Sequence, residues 1–258
     1  MIRTDMELKE LTNEICEFIR EQVENANAKG AVVGLSGGID SSLVAYLLVR
    51  ALGKENVFGL IMPEKNSNPK DEKHGKLVAE KLGINYSIFD ITPVLVAFDA
   101  GGYVLGKEFD KRSDGNLKPR IRMTKLYYEA NKKNYLVSGT SNKSEIYMGY
   151  GTKHGDLGCD FLTLGNLFKT EVRQLSNYLE IPREIIEKAP SAGLWEGQTD
   201  EGELGITYEK LDQILNLMEK GKEIEDISEF LNVSIEKMLE IMTRISSNKH
   251  KSIPIPMP

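Results

Sequence analysis

Residues 31–52 read AVVGLSGGIDSSLVAYLLVRAL: a short apolar run, a break at small residues, then a longer apolar stretch with helical spacing. The pattern is that of a strand feeding a glycine-rich turn that opens a helix. Such a turn is a standing anion site. Gly37 and Gly38 let the backbone come close, while the unpaired N–H groups of the helix start and its dipole face a phosphate. It is not the usual ATP loop, because G-x-x-x-x-G-K-[ST] is absent, no lysine follows the glycines, and an acid, Asp40, stands where the helix begins. An aspartate there repels phosphate unless a cation stands between them, which makes it a ligand of a phosphate-bound magnesium. It also reads as an N-cap, with Ser41 and Ser42 as ordinary helix-start residues. From the loop alone the two readings stand level.

Outward from the loop the chain alternates. Leu8, Leu11, Ile15, Phe18 and Ile19 recur at helical spacing in residues 1–30, before the first strand at Ala31 to Leu35. After the helix from Asp40 come a strand in NVFGLIMP, a helix from Pro69 to Leu82 and a strand in NYSIFDI. Helices at Pro93 to Phe98 and Pro119 to Lys132 and the strand YLVSG follow. Strand and helix in turn predict an α/β fold with a parallel, doubly wound sheet over 31–140. Ligands bind such sheets outside the carboxyl ends of the strands, which gathers Ser36, Met62 and Gly139 at one edge.

Beyond Gly139 the sequence turns to polar, glycine-rich loops, with a short helix at Lys143 to Met148 and another ending near Lys188. The remainder is helical, with Ser234 as N-cap of a helix through Ile245. The proline-rich tail SNKHKSIPIPMP is expected to be extended. No linker-like stretch divides the 258 residues, so they are taken as one domain. With 40% hydrophobic residues the chain can bury a sizeable core, and a net charge of -6 argues against a broad nucleic-acid surface. No signal peptide and no membrane-spanning apolar run are legible, so a cytoplasmic enzyme of small polar substrates is expected. Cys16 and Cys159 form neither a C-x-x-C pair nor a zinc spacing.

In order along the chain, SGGIDSS, NLKPRIRM, LVSGTSNKSE, GTKHGD, LFKTEV, KAPSAG and GQTDE resemble the ammonia-dependent NAD synthetases, which belong to the ATP pyrophosphatases. The resemblance runs from the first helix to the tail. It implies an adenine nucleotide alpha hydrolase-like fold and a two-step reaction. The deamido-NAD carboxylate attacks the α-phosphorus of ATP, releasing pyrophosphate, and ammonia then attacks the adenylated carboxyl to give NAD and AMP. By the family pattern Gly34, Leu35, Ser36, Gly37, Gly38, Ile39, Asp40 and Ser41 wrap the ATP phosphates, with Thr140, Lys169 and Ser191 as further ATP contacts. Asp40 and Glu145 are the implied Mg2+ ligands, and with Lys169 they form the implied catalytic set. Deamido-NAD contacts fall on Arg120, Lys153, Asp160, His250 and Lys251. His250 and Lys251 reach a dinucleotide site at a subunit boundary in the family, so a homodimer is expected.

Bare residue types say less. Glu145 alone is a solvated helix residue, Lys169 a surface charge, Arg122 part of a solvated face and Thr170 a helix cap. Tyr150 is able to stack on a pyridine ring. His154 receives no role, since free ammonia needs no strong base. The sequence departs from the family at Gly193, where an acid is usual, and in HKS, where a further basic residue often follows. No Cys–Glu–Lys amidase set is legible, which points to free ammonia as the amine donor. Two other readings stay open: a different enzyme of the same loop family, such as a tRNA-modifying adenylase or the synthetase half of GMP formation, which would share SGGIDSS but not GTKHGD or GQTDE, and a non-catalytic nucleotide-sensing protein of universal-stress type.

Overall fold

In a computed structural model, which describes residues 3–191, 193, 195, 197–253 and 257, five parallel strands form one sheet in the order β3-β2-β1-β4-β5. The strands are β1 (Ala31–Gly34), β2 (Val57–Ile61), β3 (Asn85–Ile88), β4 (Leu136–Gly139) and β5 (Phe161–Leu162). Gly34 pairs with Leu60, and Val33 with Ser138, so the carboxyl ends of the three central strands finish level. This is the doubly wound sheet that the alternation predicts.

Helices α1 (Asp5–Asn25), α2 (Ile39–Leu52), α3 (Pro69–Leu82), α4 (Thr92–Ala97) and α5 (Ser113–Lys133) accompany the first four strands. After β4 come α6 (Lys143–Met148), α7 (Lys169–Tyr178), α8 (Arg183–Ile186), α9 (Asp200–Leu204), α10 (Tyr208–Glu219), α11 (Ile224–Leu231) and α12 (Ile235–Asn248). Local chemistry sets the boundaries. Thr4 and Glu7 close a capping box on α1, Asn68 caps α3 ahead of Pro69, and Ser234 caps α12. Gly83, at φ 66°, ends α3 in the left-handed conformation.

Both faces of the sheet are covered. Ile15 and Ile19 of α1, Leu43 and Leu47 of α2, and Val172 and Leu175 of α7 pack with Ala31 and Val33. On the other face Val32, Leu60 and Val137 meet Leu95 of α4 and Ile121 and Ala130 of α5. A third cluster joins Met148 and Phe168 to Leu211, Ile227, Met238 and Ile241, and so fastens the C-terminal helices to α6 and α7.

Several expectations are corrected. Phe18, on the apolar spacing of α1, is 38% exposed at the edge of the core, its ring edge-on to Phe161. Proline at a first helical position suggests a start at Pro119, yet α5 begins at Ser113 and carries Pro119 inside it. The added turns are held from outside the helix: Lys118, 3% exposed, donates to Glu64 Oε1 at 3.0 Å. Arg122 is not solvated, because its Nε donates to the Met62 carbonyl at 3.0 Å. Thr170 does not cap α7. Glu171 accepts the Phe168 amide at 2.9 Å, and the Thr170 amide goes to Asp212. Lys249–Lys251 form a short 3-10 turn rather than extended chain, and Pro254, Pro256 and Pro258 lie outside the described residues.

The Lys118–Glu64 pair stitches the end of β2 to α5. Removing one member leaves a buried charge unpaired, so Lys118→Met is expected to destabilise the protein by about 3–5 kcal/mol. Urea unfolding reads this as a lower midpoint at unchanged slope. A midpoint equal to wild type would show that the pair does not hold α5.

Candidate active site

The glycine-containing loop after β1 is closed by its own short side chains. Ser41 Oγ accepts the Ser36 amide at 3.2 Å and donates to the Gly38 carbonyl at 3.1 Å, while Ser42 Oγ donates to the same carbonyl at 2.8 Å. Gly38 is the N-cap of α2 and offers no side chain. Gly37 is required by geometry: its φ is 74°, and a Cβ would lie 2.2 Å from the Asp71 carbonyl oxygen. Gly37→Ala is therefore expected to displace the loop and cost ATP affinity by at least about tenfold, read by nucleotide titration. Unchanged affinity would remove this loop from the nucleotide site.

The N-cap reading of Asp40 is corrected: Gly38 is the N-cap of α2, and Asp40 lies inside the helix. Asp40 Oδ1 accepts from Asn142 Nδ2 at 2.9 Å, and Oδ2 accepts from Lys169 Nζ at 2.5 Å. The same ammonium reaches Glu145 Oε1 at 3.2 Å. Residues 129 positions apart meet because α2, α6 and α7 all begin at the carboxyl edge of the sheet. Lys169 is no surface charge; it is 1% exposed.

Glu145 is not a plain solvated residue either. In the capping box of α6 its Oε2 accepts the Asn142 amide while Asn142 Oδ1 accepts the Glu145 amide. Burial pushes its carboxyl above the usual carboxylate range, with Lys169 opposing the rise and Asp40 and Asp200 adding to it. For Lys169, burial works against the charge, but Asp40 and Glu145 more than offset it and keep the ammonium protonated. Two carboxylates converging on one cation supply the hard oxygen donors that suit Mg2+, with remaining positions left for water and substrate oxygens.

Other expected residues fall in two groups. Arg120 donates from Nε and Nη2 to the Lys153 carbonyl at 3.4 Å, and Lys251 Nζ donates to the carbonyls of Gly149 and Gly151. Arg120 and Lys251 thus hold the 149–155 loop, which carries Lys153, with exposed His250 on the neighbouring turn. The carboxylate of Asp160 is engaged by the fold, taking the Val137 amide at 2.7 Å and the Tyr127 hydroxyl at 3.0 Å. Thr140 lies half-buried at the exit of β4. Ser191 is exposed, its hydroxyl accepting the Gly193 amide. Gly193, where an acid is usual, has φ 61° with open space around it, a conformation that favours glycine. His154, exposed at φ 60°, sits at a turn. Tyr150 donates to Glu203 at 2.7 Å, and its ring lies 5.8 Å from the Arg244 guanidinium.

Three contributors escape a reading of motifs alone. Asn142 orients Asp40, and the N-K-S-E spacing, which is a capping-box signature, marks it. Lys188 reaches Asp71 Oδ1 at 2.5 Å and the Gly37 carbonyl at 3.4 Å, so the first residue of KAPSAG touches the loop after β1. Asp200, 3% exposed, accepts from the buried Tyr208 hydroxyl at 3.1 Å. Only the acid of GQTDE hints at it. The whole arrangement is a glycine-containing loop at a helix start beside two carboxyl groups bridged by a buried lysine, which suits chemistry on a polyphosphate.

The NAD synthase family model matches residues 11–254. The NH(3)-dependent NAD(+) synthetase of Methanococcus aeolicus is 68% identical over 98% of this chain and 100% of that protein. Among solved structures, the NMN synthetase of Francisella tularensis has TM-score 0.85 at 36% identity, covering 97% of this chain and 98% of the other. The NH3-dependent NAD synthetase of Campylobacter jejuni has TM-score 0.79 at 35% identity, covering 97% and 99%.

Proposed function

The chain belongs to the NAD synthase family, and we propose that Asp40, Glu145 and Lys169 form the centre at which it activates its carboxylate substrate. It is a ligase that forms a C–N bond, amidating deamido-NAD with ammonia to give NAD at the expense of ATP. The observation that carries the site assignment is the meeting of those three side chains beside the phosphate loop.

In this reading Gly34, Leu35, Ser36, Gly37, Gly38, Ile39, Asp40 and Ser41 hold the ATP phosphates, and the β- and γ-phosphates leave together as pyrophosphate. Asp40 and Glu145 would hold magnesium, which would supply charge neutralisation for the phosphates. Lys169 supplies the cation that the loop lacks, and Thr140 and Ser191 add ATP contacts. Arg120, Lys153 and Lys251, gathered at the 149–155 loop, are suited to a diphosphate, with Asp160 and His250 completing the deamido-NAD site. The carboxylate is the nucleophile of the first step and ammonia of the second, so the enzyme acts by positioning and charge neutralisation. Residues 1–258 work as one unit in this scheme, because α10 reaches the site through Asp212, which accepts from Ser144 and Thr170. A homodimer, with the tail at the subunit boundary, and a cytoplasmic location drawing on the free nucleotide pool complete the proposal.

The test is direct. The protein, ATP, magnesium and ammonium are incubated with deamido-NAD or, separately, with nicotinate mononucleotide. NAD and AMP formed in equal amounts from the first are expected. Turnover confined to the mononucleotide would move the chain toward the activity named for the Francisella structure. ADP in place of AMP would overturn the α-phosphorus chemistry.

A further inference from the structure

All four oxygens of the two candidate cation ligands already have partners within the chain. Asp40 Oδ1 takes Asn142 Nδ2 at 2.9 Å, and Glu145 Oε2 takes the Asn142 amide at 3.2 Å. The remaining two, Asp40 Oδ2 and Glu145 Oε1, share the Lys169 ammonium at 2.5 and 3.2 Å. That ammonium is sealed in: the Lys169 side chain is 2% exposed, and the buried ring of Tyr208 lies 5.3 Å from it. An asparagine thus aims the carboxylates and a lysine bridges them.

An ammonium and a divalent ion cannot share those oxygens, since two cations a few ångströms apart in a partly desolvated site repel by several times thermal energy. Neither can the ammonium simply leave, because two facing carboxylates would then stay buried without a counter-charge. The exchange is balanced only when a polyphosphate arrives. Its oxygens accept the lysine, whose long stem carries a mobile point charge, and the cation that accompanies it takes the lysine's place on the carboxylates. We propose that Lys169 is the internal counter-ion of the unliganded site, so that a divalent cation enters only together with the nucleotide. This rests on the reading of Asp40 and Glu145 as cation ligands. By linkage, nucleotide then raises the affinity of the protein for metal, and metal raises it for nucleotide, by the same factor.

The test uses Mn2+ as a spectroscopic probe and needs no turnover. Free Mn2+ is counted by electron paramagnetic resonance as the full-length protein is titrated, with and without an ATP analogue bearing a methylene between the α- and β-phosphorus. Wild type is expected to bind Mn2+ at least tenfold more weakly alone than with the analogue. Lys169→Met, which keeps the stem and removes the charge, is expected to bind Mn2+ without analogue at least tenfold more tightly than wild type. Adding Asp40→Asn to Lys169→Met should abolish that gain. Wild type that binds Mn2+ equally well with and without the analogue overturns the proposal, and this arm stands even where Lys169→Met does not fold. So does a folded Lys169→Met that binds no more tightly than wild type. The two ideas fail separately: if Asp40→Asn leaves Mn2+ binding in the presence of the analogue unchanged, the ligand assignment falls and takes this proposal with it. If Asp40→Asn abolishes that binding while Lys169→Met gains nothing, the counter-ion role alone falls.

Discussion

Asp40→Asn is expected to slow pyrophosphate release by about 10²–10³ at saturating magnesium while the protein stays folded. The substitution keeps size and hydrogen-bonding shape and removes the charge. Asn142 Nδ2 still finds an oxygen there, but Lys169 loses the partner at 2.5 Å, and a hard cation loses one of its two carboxylates. The fold does not hang on this residue. The loop is closed by Ser36, Ser41, Ser42 and the Gly38 carbonyl, and the buried ammonium keeps Glu145 at 3.2 Å. Far-UV circular dichroism and a pyrophosphate assay with ATP and deamido-NAD separate the two effects. Activity near wild type would remove Asp40 from the reacting centre. A collapse of the circular dichroism signal would instead make it structural.

Much of this architecture is written in period and punctuation. Apolar runs of four or five residues bounded by Gly, Asn and Pro become β1, β2 and β4 because both sheet faces are covered, and parallel buried strands need no alternation. Asn68 before Pro69 and Ser234 before Ile235 mark helix starts through interactions within one turn, which is why they are legible. Where the reading slips, a distant partner has overridden a local rule. Pro119 looks like a helix start until Lys118 is tied to Glu64, 54 residues away, and Arg122 looks solvated until its guanidinium meets the Met62 carbonyl. The site divides in the same way. Gly37 and Gly38 announce an anion loop, whereas the burial of Lys169 follows from the convergence of α2, α6 and α7, which no short window contains. The carboxyl of Glu145 illustrates the limit: an exposed helix acid by pattern, it is pushed above the usual carboxylate range by burial and by neighbours drawn from other helices.

Changing pH at fixed total ammonium is expected to move the second step by about tenfold per pH unit below the point where ammonium deprotonates. Only neutral ammonia has a lone pair for the adenylated carboxyl, and at neutral pH nearly all of the added salt is protonated. Apparent KM for total ammonium should therefore fall steeply as pH rises, while KM expressed as free ammonia stays roughly flat until a group of the enzyme titrates. Initial rates over a series of buffers of constant ionic strength give both quantities, with pyrophosphate release measured in parallel so that a pH effect on the first step is not charged to the second. A KM for total ammonium that does not move with pH would mean that the protein binds the cation and deprotonates it in place, and a base would then have to be found among the buried carboxyls near Lys169, of which Asp200 is one. Glutamine is expected not to replace ammonium. Turnover on glutamine alone by the purified chain would place an amidase activity in this sequence and overturn the ammonia-dependent reading.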